Sequence, residues 1–231
     1  AMTFSTGFQS NLGIISALVG RNDYVILDKE DHASIYDACR LSYGKLLRYE
    51  HNDMEALERC LQRVPESAGA LIVTDGLFSM SGDIANLPEI VRLAKTYGAR
   101  IMVDDAHGLG TLGKGGRGTP SHFGLEQEVD VYMGTFSKSL ASLGGYMAGK
   151  SRIVDYVRHN SRPFIFSASV PPASCAAALA ALNVLEEEPE LPERLLRLSD
   201  FFREALKQRG MSIRESRTPI VPIFTYTAER T

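Results

Sequence analysis

Residues 100–107 read Arg-Ile-Met-Val-Asp-Asp-Ala-His, a short apolar run that ends in two acids and a histidine. The run is typical of a buried strand, and Asp104, Asp105 and His107 follow at its carboxyl end. Charged groups at such a position are costly unless they have partners. These residues alone leave two interpretations open: a hydrogen-bonded cluster that caps the loop, or a functional site. No second group of metal-ligating residues lies at ligand spacing nearby, which disfavours a metal site.

Similar apolar runs on both sides of this stretch predict further buried strands at residues 24–27, 70–73 and 129–133. Helical spacing of apolar residues predicts helices over 53–64 and 88–97, with Asn86 as the N-cap of the second. Strands that alternate with helices indicate an α/β fold, in which a mostly parallel sheet is flanked by helices. Ligands of such sheets bind beyond the carboxyl ends of the strands, so we look for chemistry there.

The pattern changes from Pro171 onward. Two long helices and then two strands are predicted, at 173–187, 191–209, 211–213 and 220–225. We therefore expect a large domain over 1–170, followed over 171–231 by the long helices and the start of a truncated α+β domain. The first and last residues fall beside predicted strands. We accordingly expect a fragment without its N-terminal segment and without the rest of the second domain.

Composition narrows the class of protein. The chain has 231 residues, a hydrophobic fraction of 44% and a formal net charge of -3, which is ordinary for a folded domain and unlike the basic surplus of a nucleic-acid binder. We find no signal peptide and no apolar run long enough to span a bilayer, so we expect a cytoplasmic protein. Cys39, Cys60 and Cys175 are too few for a disulfide framework, and we expect buried, reduced thiols.

Two nucleotide-binding patterns overlap in one loop. Residues 108–113 (GLGTLG) fit a dinucleotide-binding motif, and 108–114 fit most of a phosphate loop. The phosphate loop needs Ser or Thr after its lysine, but Gly115 follows Lys114. Both motifs also need a helix to open at the glycines, and residues 115–120 (GGRGTP) are not expected to start one. We therefore expect a flexible surface loop, with a nicotinamide-binding protein as the alternative.

A second signal follows the strand at 129–133. It reads Gly134-Thr135-Phe136-Ser137-Lys138-Ser139. Hydroxyls and turn amides bind phosphate, and a lysine of lowered pKa can form a Schiff base. Taken singly, an exposed lysine in a polar turn explains the motif equally well. Together with Asp104, however, the set supplies what pyridoxal phosphate (PLP) needs: an amine for its aldehyde, an acid for its ring nitrogen and donors for its phosphate.

Asp104-Asp105-Ala106-His107 and Thr135-Phe136-Ser137-Lys138 together resemble the α-oxoamine synthases, which are fold-type-I PLP enzymes. Further motifs of the same family are at residues 4–8, 31–34, 75–80 and 161–167. The resemblance covers essentially the whole chain and implies an aminotransferase-like large domain. It also implies an acyltransferase that joins an amino acid to an acyl thioester, with loss of carbon dioxide, to give an aminoketone.

Within this family, residues 4–13 (FSTGFQSNLG), 32–37 (HASIYD) and 134–145 (GTFSKSLASLGG) resemble the bacterial serine palmitoyltransferase branch of sphingolipid biosynthesis. That branch implies L-serine and an acyl-CoA, or an acyl-carrier-protein thioester, as substrates. The alternatives are 2-amino-3-ketobutyrate CoA ligase and 8-amino-7-oxononanoate synthase, which usually have glycine where Ser137 stands. An aminotransferase on the same fold and a cofactor-free scaffold or binding domain are also left open.

The resemblance implies roles for individual residues. Lys138 would bind the cofactor and move the Cα proton, Asp104 would pair with the ring nitrogen, and His32 would stack on the ring and help hold the substrate carboxylate. The remaining contacts to the ring and the phosphate would fall to Gly7, Phe8, Ser79, His107 and Thr135. Ser167 and Ala168 match a stretch that reaches the neighbouring subunit's cofactor, which implies a homodimer. The family's carboxylate-binding arginine falls outside these residues, so we expect little activity from this segment alone.

Overall fold

The computed structural model describes residues 1–227, and a seven-stranded sheet lies at their centre. The strands are β1 (Met2–Phe4), β2 (Tyr24–Asp28), β3 (Lys45–Tyr49), β4 (Ala70–Asp75), β5 (Arg100–Asp104), β6 (Val131–Thr135) and β7 (Gly145–Gly149). Their order is β1-β7-β6-β5-β4-β2-β3. Strands β2 to β6 run parallel, whereas β7 is antiparallel to both β6 and β1. The predicted α/β fold with a mostly parallel sheet is confirmed.

The described residues also form nine α-helices, several of which cover the two faces of this sheet. They are α1 (Gly7–Leu18), α2 (Ala33–Leu41), α3 (Met54–Leu61), α4 (Leu87–Tyr97), α5 (Thr119–His122), α6 (Ser151–Asn160), α7 (Arg162–Ile165), α8 (Pro172–Glu187) and α9 (Leu191–Gln208). Successive strand side chains point to opposite faces. In β2, Val25 and Leu27 join the core under α1, α2 and α6, whereas Ile26 joins the core under α3 and α4. Burial on both faces explains why β2 is apolar throughout its middle.

Most predicted elements are confirmed, with their ends shifted by a few residues: β2, β4, β5, β6, α3, α4, α8 and α9. Asn86 does precede α4, but its side chain makes no capping hydrogen bond, and a proline occupies the first turn. Strand β3, an edge strand that carries Lys45 and Arg48, was not predicted. The glycine-bounded strand β7 and the helices α1, α2 and α6 were not predicted either.

Two expectations about the C-terminal part are wrong. The strands predicted at 211–213 and 220–225 reduce to one isolated bridge between Ile213 and Ile223. Pro222 interrupts the second segment and Pro219 directly precedes it, and proline has no N–H to extend a ladder. Cys39 and Cys60 are buried as expected, but Cys175 on α8 is exposed, because α8 lies outside the layers that cover the sheet.

The glycine-rich loop after β5 is not the flexible surface loop that we expected. Asp105 accepts the N–H of Thr119 at 2.8 Å and its hydroxyl at 2.7 Å, so the loop is folded over a buried carboxyl group. A Cβ atom at Gly118 would lie 1.7 Å from Asp105 Oδ2. Glycine is therefore required at position 118, because the backbone there passes close to the Asp105 carboxylate. This glycine serves the packing of the loop and does not form a phosphate-binding motif. The four-residue helix α5 also opens within the segment that we expected to be non-helical.

Within residues 1–227, no helix combines the length and the apolar character that a membrane span requires.

Candidate active site

A cavity of about 320 Å³ lies at the carboxyl edge of the sheet. Because β4, β5 and β6 are parallel neighbours, their carboxyl ends bring Asp75, Asp104 and Thr135 to this edge. Lys138 follows three residues after β6 and lines the same cavity. The two sequence signals, the acids after β5 and the lysine motif after β6, thus meet in one place.

Helix α1 begins at the wall of this cavity. The side chain of Thr6 caps the helix and accepts the N–H of Gln9 at 3.1 Å. Gly7 and Phe8 are the first two helical residues and line the cavity. No helical carbonyl precedes them to accept their N–H groups, and the positive end of the helix dipole lies at the same point. This end of the cavity is therefore suited to an anionic group.

Hydroxyl groups also line the end of the cavity that is suited to an anionic group. Thr135 Oγ1 lies 2.9 Å from Ser137 Oγ and donates to the carbonyl of Gly144 at 3.0 Å. A Cβ atom at Gly7 would lie only 3.0 Å from Thr135 Oγ1. The absence of a side chain at Gly7 therefore leaves room where the helix N-terminus and the hydroxyls converge.

Asp104 is a buried carboxylate with two donors. Its Oδ1 accepts the N–H of Ala106 at 3.0 Å, and its Oδ2 accepts the side-chain amide of Asn11 at 2.7 Å. The group is 4% exposed, so these hydrogen bonds offset part of the cost of removing it from water. A carboxylate held in this way presents a fixed negative charge at the floor of the cavity.

His32 is held from two sides at the start of α2. Its Nδ1 lies 2.7 Å from Ser34 Oγ, and its backbone N–H donates to Asp75 Oδ2 at 3.0 Å. The backbone N–H of Asp75 in turn donates to Asp31 Oδ1 at 2.8 Å. Burial, followed by the charge of Asp104, raises the pKa of Asp75. Burial, followed by the charge of Asp75, likewise raises the pKa of Asp31.

The Lys138 amine is in a setting that favours reaction. Desolvation lowers the pKa of Lys138, while the charges of Asp104 and Asp75 oppose that shift. A lowered pKa enlarges the neutral fraction of the amine, which is the nucleophilic form. Among the described residues the amine has no hydrogen bond or ion pair. Burial and the nearby Lys138 charge also lower the pKa of His107 to about 4, so its ring is neutral at physiological pH.

The lowered pKa of His107 gives a first prediction. As the pH falls from 6.5 to about 4, the unfolded chain takes up a proton at this ring that the folded chain does not. The free energy of unfolding is therefore unaffected by protonation of this ring above pH 6.5 and decreases as the pH falls from 6.5 to about 4. We expect the urea midpoint of cofactor-free, full-length His107→Gln to be less sensitive to acid than that of the wild type. Exposed His159→Gln serves as the control, and equal acid sensitivity in all three proteins would contradict the assignment.

The structure brings most of the predicted site residues to the cavity: Gly7, Phe8, His32, Asp104, His107, Thr135 and Lys138. Ser79 is half-buried in the turn after β4 and does not line the cavity. Ser167 and Ala168 lie at a separate cavity, where Ser167 accepts the amide of Gln9 and the carbonyl of Ala168 accepts the hydroxyl of Ser5. Within residues 1–227, no group of His, Cys, Asp or Glu residues is arranged to hold a metal ion.

Four polar residues of the cavity were not among the predicted site residues: Thr6, Asn11, Ser34 and Asp75. Asp75 could have been found, because it follows a predicted strand just as Asp104 does. Asn11 could not have been found without α1, which places it one helical turn beyond Gly7 and facing the same cavity.

Comparison with known proteins agrees with this geometry. The family model of aminotransferase class I and II matches residues 1–230. The chain belongs to the aminotransferase class I and II family. Its candidate site lies at the carboxyl edge of a mostly parallel sheet.

The curated relatives of this chain include α-oxoamine synthases, so the predicted resemblance to that group is confirmed. A serine palmitoyltransferase of Sphingobacterium spiritivorum is 53% identical over the whole chain. An 8-amino-7-oxononanoate synthase of Bacillus velezensis is 48% identical over 230 residues. The chain spans 58% and 59% of the length of these two relatives. A serine palmitoyltransferase of S. paucimobilis, solved with PLP and myriocin bound, superposes with a TM-score of 0.95 at 40% identity, covering 99% of this chain and 60% of its own.

The cavity of this aminotransferase-family chain fits PLP in its donor set. It offers an amine to bind the aldehyde and a buried carboxylate to pair with the ring nitrogen. Helix N–H groups and hydroxyls are available to bind the phosphate. These groups lie on Lys138, on Asp104 and at the N-terminus of α1, around the space that glycine leaves at position 7.

Proposed function

We propose that the full-length protein is a PLP-dependent acyltransferase. It condenses an amino acid, L-serine, with a long-chain acyl-CoA and releases carbon dioxide and free coenzyme A to give an aminoketone. The observation that supports this proposal best is the convergence of the Lys138 amine, the Asp104 carboxylate and the N-terminus of α1 on one cavity. When bound, PLP supplies an electron sink for the Cα of the amino acid.

Each residue of the cavity then has a task. Lys138 would hold the cofactor aldehyde through its amine, and the same amine, when free, would accept the Cα proton. Asp104 would place its negative charge beside the ring nitrogen and favour protonation there. Gly7 and Phe8 would donate backbone N–H groups to the phosphate, and Thr135 would add its hydroxyl. All five residues line the cavity.

The remaining predicted residues act around this centre. His32 would stack on the cofactor ring and hold the substrate carboxylate, and the neutral imidazole of His107 would contact the phenolic-oxygen side of the cofactor. Ser79 does not line the cavity and is left out of this contact. Ser167 and Ala168 face the cofactor of a second subunit in a homodimer. Their position outside their own chain's cavity supports that assignment. We assign residues 1–170 to the cofactor domain and 171–231 to the smaller domain.

An apolar groove supports a long acyl chain as the second substrate. A cavity of about 500 Å³ shares Ala106, His107 and Lys138 with the first one. Its other walls are mostly apolar: Leu109, Leu185, Leu191, Leu195, Pro219 and Ile220. Each buried methylene of an acyl chain contributes about 0.8 kcal/mol, so a groove of this kind favours palmitoyl over acetyl thioesters.

A charge in the groove gives a second prediction. Leu195 lines the groove and is 38% exposed, whereas Leu198 on the same helix is 56% exposed and lies outside it. We expect Leu195→Glu to lower kcat/KM for a palmitoyl thioester by about tenfold or more and to change that for an acetyl thioester little, because the carboxylate opposes burial of the chain. The matched Leu198→Glu variant should behave like the wild type. Equal losses for both thioesters in Leu195→Glu would contradict a role of the groove in acyl binding.

A competition assay with the full-length protein tests the proposed function. Serine, glycine and alanine are offered with acetyl, pimeloyl and palmitoyl thioesters of coenzyme A and of a carrier protein. Serine with palmitoyl-CoA is expected to react fastest. Glycine with acetyl-CoA as the best pair would indicate a ketobutyrate ligase, and alanine with a pimeloyl thioester an oxononanoate synthase. Amino transfer without thioester consumption would indicate an aminotransferase, and no visible absorption band with added PLP would indicate a scaffold.

A further inference from the structure

Two buried polar side chains lie between His32 and Asp104. Asn11 of α1 is 0% exposed and Ser34 of α2 is 1% exposed. A buried amide and a buried hydroxyl are costly unless they find partners, so their contacts indicate what they do. Helices α1 and α2 pack against each other, which brings the two side chains together.

The contacts form one continuous chain, which we call the polar bridge: His32, Ser34, Asn11 and Asp104. The amide nitrogen of Asn11 lies 2.7 Å from Asp104 Oδ2 and 2.9 Å from Ser34 Oγ. Ser34 Oγ lies 2.7 Å from His32 Nδ1. The polar bridge therefore connects the carboxylate at the end of β5 to the ring at the start of α2.

The chemistry of the groups fixes the direction of each hydrogen bond. An ionised carboxylate only accepts, so Asn11 must turn its NH2 group toward Asp104. The same NH2 group donates to Ser34 Oγ, which leaves the Ser34 hydroxyl proton to donate to His32 Nδ1. The backbone N–H of Ser34 also donates to Nδ1, at 3.3 Å. With two donors aimed at Nδ1, the neutral ring carries its proton on Nε2.

The other atoms of the polar bridge agree with this direction. Asn11 Oδ1 is buried and has no hydrogen-bond partner within the described residues. The Asn11 side chain therefore contributes only its NH2 donors to the polar bridge, and its buried carbonyl oxygen stays unsatisfied. His32 Nε2 likewise has no partner within the described residues, and His32 lines the cavity. The Nε2 proton is therefore available to a ligand.

We propose that Asn11 and Ser34 are positioning residues, which hold His32 as its Nε2–H tautomer and couple the ring to Asp104. In this form the ring offers one fixed N–H donor to an anionic group, of the chemical class of an amino-acid carboxylate. The identity of that ligand rests on the proposed function, whereas the tautomer of the cofactor-free protein does not.

The experiment uses the full-length protein with Ser34→Ala, Asn11→Ala and a matched control, Ser10→Ala. Ser10 is also a fully buried serine next to Asn11, but its hydroxyl donates to the carbonyl of Thr6 at 3.0 Å and lies outside the polar bridge. The first readout is the ¹H–¹⁵N NMR pattern of the histidine rings without cofactor, with the His32 signals assigned from a His32→Gln variant. The second readout is KM and kcat for the amino acid in the PLP-loaded protein.

We expect the wild type and Ser10→Ala to show His32 only as the Nε2–H tautomer, and Ser34→Ala and Asn11→Ala to show a measurable Nδ1–H fraction. We also expect KM for the amino acid to rise about tenfold in Ser34→Ala, with a smaller change in kcat and an unchanged cofactor absorption band. An unchanged tautomer in both bridge variants would overturn the proposal, even for an active acyltransferase. A changed tautomer with an unchanged KM would overturn the role in substrate positioning. An inactive wild type would count against the proposed function and leave the NMR result to decide the polar bridge.

Discussion

Lys138→Ala is expected to abolish the activity of the full-length protein, with kcat falling by at least about a thousandfold. The amine both binds the cofactor and moves the Cα proton in the proposed function, and removing a positioned general base alone typically costs about 10²- to 10⁴-fold. The visible absorption band of the bound cofactor should also shift, because its bond to the protein is lost. Assays under matched cofactor saturation measure the first effect, and absorption spectra measure the second.

The same assignment can be tested without a variant. Borohydride reduction of the cofactor-loaded protein, followed by peptide mapping, should place the label on Lys138. Lys150→Ala provides the matched control, because Lys150 precedes α6 and does not line the cavity. A label on Lys114 or Lys150 would falsify the assignment of Lys138. Full activity in Lys138→Ala would do the same.

Asp104→Asn is expected to lower kcat by about a hundredfold or more. The substitution keeps the size of the side chain and removes the negative charge that favours a protonated ring nitrogen, and preorganised charges of this kind contribute about 10²- to 10³-fold. It also sets an amide against the donors on Asn11 and Ala106, which weakens cofactor binding. Titration of the full-length apo-protein with PLP and single-turnover kinetics measure the two effects separately.

The neighbouring acid provides an internal control for this prediction. Asp105 is as buried as Asp104, but its carboxylate binds Thr119 and supports the glycine-rich loop. Burial raises the pKa of Asp105 to about 6, and Asp105 does not line the cavity. Its carboxylate therefore affects the stability of the fold. Asp105→Asn should therefore alter stability while the cofactor band and kcat change much less. If the two variants lost activity equally, a specific electronic role of Asp104 would be untenable.

The central strands could be predicted because they are buried on both faces, so a continuous apolar run marks each of them. Strands β2, β4, β5 and β6 are of this kind. Edge strand β3 could not be predicted in this way, since its exposed positions take Lys45 and Arg48. Helix α1 was missed for a different reason: it opens with Gly7, a poor helix former, and its N-terminus lies at the cavity. Glycine is used at position 7 despite its low helix propensity, because a side chain there would come too close to Thr135.

The sequence by itself determined the α/β class, the strand ends at which chemistry is placed and the residue types that PLP requires. These follow from local composition, since the acids after β5 and the lysine after β6 stand at the carboxyl ends of buried runs. Only the tertiary structure decided which polar groups share the cavity. Asn11, Ser34 and Asp104 are far apart in the chain and meet because α1 packs on α2 beside the end of β5. Such meetings depend on the packing of whole elements, which no local stretch of sequence specifies.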